Sequence, residues 1–581
     1  MPFYPILSEG YTQRLVTDVF AGYNHNLKIN DGELYNTHNL TTDYYPMLAN
    51  RKPRSLTDIV QAEPQGIIAK DSLAYIDNGT LFYNHTATGV TDLTPGEKTL
   101  VSMGAYIIIF PDKVYYNTEK ANDYGSMEAS FHYTGRVSYE LCNMDGEVYP
   151  EQSQTKPEEP DDGELWLDTD NKELKKYSSN NGMWITIPQV YTKMTFDGVM
   201  TELKGFSDYD GVQISGADYD DLNGSKILYK VGNDGTTANY VVTVGILDKT
   251  LMQIPQAEIT IKRQVPMMNY VCECQNRLWG CFFGNDGTQN LNEIYCCALG
   301  DFKNWEQYLG VSTDSWRASV GSDGKWTGAI NFLGYPTFFK EDRIHTVSVS
   351  AYGAHQIADS PARGVQDGSS KSLQVVNETL FYKSRTDVCA YQGSFPESVS
   401  AALGDERYYN AVSGSFGDKY YVSMTDSAGK RHFFCFDIRK GLWIEEDELD
   451  AVQFARLDDS LYCLTADGSI IDINGNDGTT EDGIDWSAET GIIGYEYPDK
   501  KYISRFNIRL KMGKNASAEL FLEYDSSGEW ERNGTIRLRN VGTVTLPVRP
   551  RRCDHMRLKL AGHGDVRVFS IAKLLEQGSD M

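Results

Sequence analysis

The sequence predicts an all-β protein: a β-propeller with an inserted small β-domain and a C-terminal β-sandwich. Three observations carry that reading. The 581 residues include 37 Tyr and 52 Gly but only 19 Pro, a balance that suits pleated, half-exposed surfaces joined by tight turns. Short aromatic-rich runs recur, each followed by turn residues and another apolar run. The last hundred residues instead alternate apolar and polar side chains over long stretches, as half-buried antiparallel strands do. A length of 581 residues gives a prior of roughly four domains.

The first segment, to about residue 55, mixes turn signals with single hydrophobics: Phe20 to Asn24, Asp31-Gly32-Glu33, Tyr44-Tyr45-Pro46 and Arg51-Lys52-Pro53-Arg54. It reads as an extended docking segment, because a free terminus would leave its aromatics in water. From Gly66 the blade grammar begins with Ser72 to Tyr83 and Leu100 to Phe110. Asp77-Asn78-Gly79 between two apolar runs predicts a hairpin, since a primed turn needs positive φ. The same cadence returns at Thr379 to Tyr391, Lys419 to Asp437 and Ser460 to Asp472, as in four-stranded blades set radially.

Between these stretches the grammar changes. Lys156 to Asp162 is an acidic, proline-bearing linker, and Gly163 to Thr186 reads as a small three-strand motif. Thr195 to Lys262 reads as a small barrel or sandwich, with propeller strands resuming at Arg263 to Pro266 and at Tyr270. An insertion in a surface loop costs little, because closure entropy grows slowly with loop length. The expected organisation is 1–55 an N-terminal docking segment, 56–150 the first part of the propeller, 151–262 inserted β modules, 263–483 the rest of the propeller and 484–581 a C-terminal sandwich.

A net charge of −27 argues against a dedicated nucleic-acid or anionic-membrane binder. The apolar runs are far shorter than the ~20 residues of a membrane helix, so no membrane insertion is expected. The opening MPFYPILSEG lacks a signal-peptide pattern. Ten cysteines lie mostly within strand patterns. Cys272, Cys274, Cys281, Cys296 and Cys297 lack paired C-x2-C spacing and read as structural thiols. No G-x-S-x-G, H-E-x-x-H or phosphate-binding loop occurs. His345, His355, His432, His555 and His563 show no base-and-partner spacing. Glu445-Glu446-Asp447 reads as an acidic loop leaving a strand. Asp472 to Gly478 mimics the start of a calcium loop without its later positions, and Asp208 to Gly211 and Asp218 to Asp221 are acidic turns. No cofactor, metal site or catalytic residue is expected.

Arginines concentrate at the C-terminus. Arg505, Arg509, Arg537, Arg539, Arg549, Arg551 and Arg552 are the expected subunit or partner contacts, because alternation gathers guanidiniums on one sheet face, where they suit bidentate pairing with carboxylates.

Asn24, Asp31-Gly32-Glu33, Asn36, Asn39 and Arg51 to Arg54, then Asn276 to Cys281, Ala298 to Trp305 and Pro550 to Asp554, resemble tailed-phage virion structural proteins, in particular propeller-bearing tail nozzle proteins. Lys52-Pro53-Arg54 stands where those proteins typically have Arg-Pro-Gly. The resemblance implies a structural component of a phage tail, a nozzle or distal ring, assembled in the host cytoplasm and resident in the virion. It implies a homo-oligomer, sixfold in many relatives, contacting portal, adaptor and other tail proteins, with genomic DNA only as passing cargo. On that reading the chain assembles and performs no chemistry. The alternative is a receptor-binding or glycan-degrading tail protein with a carbohydrate site on the propeller.

Overall fold

The computed structural model describes residues 12–198, 201–233, 239–247, 253–350, 354–495, 500–538 and 540–577. The fold is all-β, as the composition indicated. Among the described residues the only helical segments are 3-10 turns of three to five residues, and none is long and apolar enough to cross a membrane. The chain divides into two compact units: residues 1–97 with 338–345 and 359–581, and residues 98–337 with 346–358.

The first unit contains antiparallel meanders of the propeller type. One runs Pro64–Lys70, Ser72–Asp77, Thr80–Tyr83 and Thr86–Ala87. Its first hairpin turn is the one Asn78 and Gly79 signal: Asp77 faces Thr80 across it, and the two turn residues have φ of 45° and 73°. Further meanders span Gln374–Ser398, Tyr409–Asp447 and Ala451–Asp472. Their faces stack in series. Phe381 meets Tyr420 and Phe436; Tyr421 and Phe433 share a core cluster with Leu461 and Cys463; Tyr462 and Leu464 share one with Ile67 and Tyr75 of the first meander. Each face is apolar because every second residue of a central strand points into the neighbouring sheet.

The N-terminal segment is structural. Ser55–Val60 adds to the last meander, with Leu56 opposite Ile471 and Ser55 opposite Asp472, which covers an edge that would otherwise expose unpaired backbone groups. Earlier strands join the C-terminal two-sheet domain: Thr12–Thr17 and Leu48–Asn50 pair with Val566–Gln577, and Leu34–His38 pairs with Asp485–Thr490. The core of that domain lies between the sheets, around Phe506, Ile508, Leu520, Met556 and Leu558.

The second unit holds meanders at Thr99–Ser126 and Tyr270–Ser319, packed through Ile108, Phe110, Leu278 and Phe282. A further meander begins at Gly328–Phe332. The second unit also contains a closed six-stranded barrel. The barrel opens at Ala129–Cys142, inside the stretch assigned above to the propeller, because this strand pairs along both Tyr191–Phe196 and Gln253–Arg263. Arg263 closes the barrel and does not resume the propeller: its guanidinium lies 2.5 Å from the buried Asp210 carboxylate. The small motif after the acidic linker has four strands, with Gln152–Ser153 added in parallel to Leu165–Asp168.

Candidate functional site

A cleft of about 620 Å³ opens in the first unit where the N-terminal segment crosses two meanders. Its floor is built by hairpin turns. Phe416 and Lys419 face each other across a two-residue turn whose first residue, Gly417, has φ 58°. Lys419 faces Asp437 on the next strand, and Asp437 faces Leu442 across the following turn. Tyr421, Glu446 and Asn474 complete the wall, and Thr41, Asp43, Arg51 and Lys52 come from the N-terminal segment.

The inner wall is an ion network that fastens this segment down. Lys419 Nζ donates to Asp43 Oδ1 at 2.6 Å and to Thr41 Oγ1 at 3.2 Å. Asp437 Oδ2 accepts from Thr42 Oγ1 at 2.6 Å and Lys440 Nζ at 2.9 Å, and Lys440 Nζ also donates to the Thr42 carbonyl. Burial works to raise the carboxyl pKa of both Asp43 and Asp437. For Asp43 the Lys419 charge, and for Asp437 the hydrogen bonds from Thr42 and Lys440, outweigh it, so both are held below the ordinary carboxylate range. Arg51 donates to Asn39 and Glu481, and Arg54 reaches Glu446 and Asp447.

The mouth is different. Lys52 is exposed, and the Arg439 side chain is 76% exposed with its nearest carboxylate, Asp418, at 3.4 Å. Asp418 also accepts from Asn377 at 2.7 Å. Phe416 is half-buried, with the Arg456 guanidinium 5.3 Å from its ring centre. The lining therefore has five cations and four carboxylates within a chain of net charge −27.

Sequence reasoning did not find this cleft. It read Lys419 and Asp437 as strand ends and Arg51 to Arg54 as the close of a docking segment. Glu445 to Asp447 is no loop leaving a strand but part of Leu442–Asp447. Each of its carboxylates has a partner there: Glu445 lies 2.6 Å from His432 Nδ1, and Arg54 donates to Glu446 and Asp447. His432 does have acidic partners, Glu445 at 2.6 Å and Asp426 at 3.2 Å, which its spacing in sequence concealed. The calcium-like loop is a turn in which Asp472 accepts the backbone N–H of Asn474, Asn476 and Asp477.

Of the arginines expected at partner contacts, Arg505 and Arg509 share the exposed face of Lys501–Met512. Arg551 pairs with Glu531 and lies over Tyr524. Arg537, Arg549 and Arg552 are exposed on connecting segments, and Arg539 lies outside the described residues.

No family model and no curated protein matches this chain. Solved structures do. An exo-β-1,3-galactanase from Phanerochaete chrysosporium is 8% identical, with 51% of this chain and 94% of that one covered and a TM-score of 0.22. A glycoside hydrolase is 10% identical over 52% and 96%, with a TM-score of 0.21. The endosialidase of phage phi92 is 9% identical over 78% and 64%, with a TM-score of 0.22. All three are named as enzymes, which runs against the expectation that this chain performs no chemistry. One of them is a phage protein, and none is a nozzle.

Proposed function

We propose that this chain is a phage tail protein that recognises and processes an anionic surface glycan in the cleft. The observation that carries the reading is the sign of the mouth. The exposed cations there, Lys52 and Arg439, are the ones not held in close ion pairs, on a protein that is otherwise strongly acidic. A guanidinium fork and an ammonium suit a sugar carboxylate. Phe416 offers an apolar edge to a pyranose ring, and Asn474 and Asp418 offer hydroxyl partners. A pocket of this size, with a few convergent polar groups, suits a short oligosaccharide.

For processing, paired carboxylates flank a scissile glycosidic bond. Asp43, Asp437 and Glu446 each sit within 3 Å of a cation, whereas Asp418 is the loosest and is assigned the proton-transfer role. The test is binding and product release with acidic oligosaccharides. The double variant K52A/R439A should weaken binding at least tenfold, and Asp418→Asn should stop product release while binding persists. Acidic glycans that bind equally well to both variants contradict the assignment.

A second reading, a ring-forming nozzle or distal tail component, has its own support. Arg505, Asn507, Arg509 and Lys511 line one exposed strand face beside Thr543 and Val541 of the adjoining edge strand. A cationic face on an acidic chain suits a heterologous contact with an acidic face of another copy. Particle mass at two salt concentrations for wild type and R505E/R509E tests it: rings lost in the variant favour this reading, and a monomer throughout contradicts it.

A further inference from the structure

The four-stranded sheet of 152–186 presents two unlike faces. Leu165, Leu167 and Leu174 are buried in the core they share with the barrel. Alternation then places Trp166, Lys175, Tyr177 and Trp184 on the opposite face, where Trp166 faces Lys175 and Tyr177 faces Trp184 across the strands. The rings form a cluster. Trp166 and Trp184 lie edge to face with centres 5.6 Å apart, and Tyr177 lies 5.4 Å from Trp184. All three are half-buried. Their indole N–H groups and the Tyr177 hydroxyl meet no hydrogen-bond partner among the described residues, although such groups usually find one when they pack.

The surroundings are polar and held in place. Asp168 accepts from Asn171 at 2.9 Å and from Lys175 at 2.8 Å, Lys175 also pairs with Glu173, and Thr186 donates to Glu173. We infer that this sheet face is a binding platform for an uncharged pyranose glycan, separate from the cleft and not dependent on it.

The chemistry selects that occupant. The axial C–H groups of a pyranose stack on indole and phenol rings, and its hydroxyls match the three unspent donors and the ordered carboxylates around them. Lys156 and Lys175 already lie 5.8 and 4.9 Å from the Trp166 ring centre, which meets that ring's demand for a cation and leaves Tyr177 and Trp184 as the rings on which the pyranose stacks. An acidic glycan meets a surplus of like charge, since residues 156–176 carry eight carboxylates against four lysines. A stable protein partner needs about 800 Å² per side, more than one face of strands of two, four, six and four residues presents.

The test is the full chain on an array of uncharged hexose and N-acetylhexosamine oligosaccharides, followed by titration of tryptophan fluorescence with the best binder. At least one uncharged oligosaccharide should bind saturably. Trp184→Ala should weaken it tenfold or more, Trp184→Phe should restore most of the loss, and K52A/R439A, which acts on the cleft, should leave the affinity for this uncharged oligosaccharide at the wild-type value. Thr186→Arg, on an exposed position of the same face, should block binding without removing any packed ring, which covers the case in which Trp184→Ala perturbs the sheet. Absence of binding to every uncharged oligosaccharide overturns the inference, and so does binding that survives both Trp184→Ala and Thr186→Arg.

Discussion

Arg54 and Glu446 form an ion pair of 2.7 Å in which the two side chains are only 4% and 6% exposed. Asp447 lies 2.6 Å from the other end of the same guanidinium. Burial opposes the charge on Arg54, but the two carboxylates outweigh it and hold the guanidinium pKa above its ordinary value. This contact ties the segment leading into Ser55–Val60 to the strand Leu442–Asp447, so one side chain joins the cleft wall to the added strand of the last meander.

Removing one partner of a buried pair leaves a charge without compensation, at a cost of about 3–5 kcal/mol. Arg54→Ala should therefore lower the urea midpoint sharply. Arg551→Ala, which breaks an exposed pair with Glu531, should lower the unfolding free energy from the same titration by no more than about 1 kcal/mol.

His432 gives a pH signature. Burial works against its charge, but hydrogen bonds and charge from Glu445 and Asp426 prevail and raise its pKa. A histidine raised in the folded state stabilises while protonated. Its contribution is full below the unfolded value of about 6.5 and is lost as pH rises through the folded value. The difference in thermal midpoint between wild type and His432→Asn should be largest below pH 6.5 and shrink as pH rises above it. A difference that is flat with pH contradicts this account.

All ten cysteines are buried. Burial pushes nine of these thiols up, Cys142 and Cys274 to about 12 and Cys296 and Cys553 to about 11. Since the thiolate is the reactive form, intact-mass analysis after iodoacetamide should show no adduct on folded protein at pH 7.5 and ten adducts in urea.

Gly79 sits at φ 73°, and a Cβ added there would come within 3.0 Å of the Leu93 carbonyl oxygen. Gly79→Ala should destabilise by about 1–2 kcal/mol from the left-handed backbone alone, read as a lower urea midpoint.

The parts of the fold visible in the sequence are those written in local pattern. Asn78-Gly79 specifies its hairpin by turn chemistry, and Arg505, Asn507, Arg509 and Lys511 announce a half-buried strand by period two. Ala129–Cys142 was misplaced because a barrel strand and a blade strand share that period, and only long-range pairing with Gln253–Arg263 tells them apart. The cleft was illegible for the same reason. Its charges come from residues 43–52 and 418–446, each of which reads alone as a solvated turn or strand end, and only the crossing of the N-terminal segment brings them together. The Trp166 and Trp184 platform lay within a motif the sequence did mark, but the pairing of Tyr177 with Trp184 depends on register.

The location of glycan binding is the central claim, and hydrogen exchange measures it directly. With a saturating acidic oligosaccharide, peptides covering residues 41–54, 416–421 and 437–446 should exchange more slowly, and this protection should disappear in K52A/R439A. Unchanged exchange in these peptides while the oligosaccharide is bound elsewhere would contradict the assignment of the cleft.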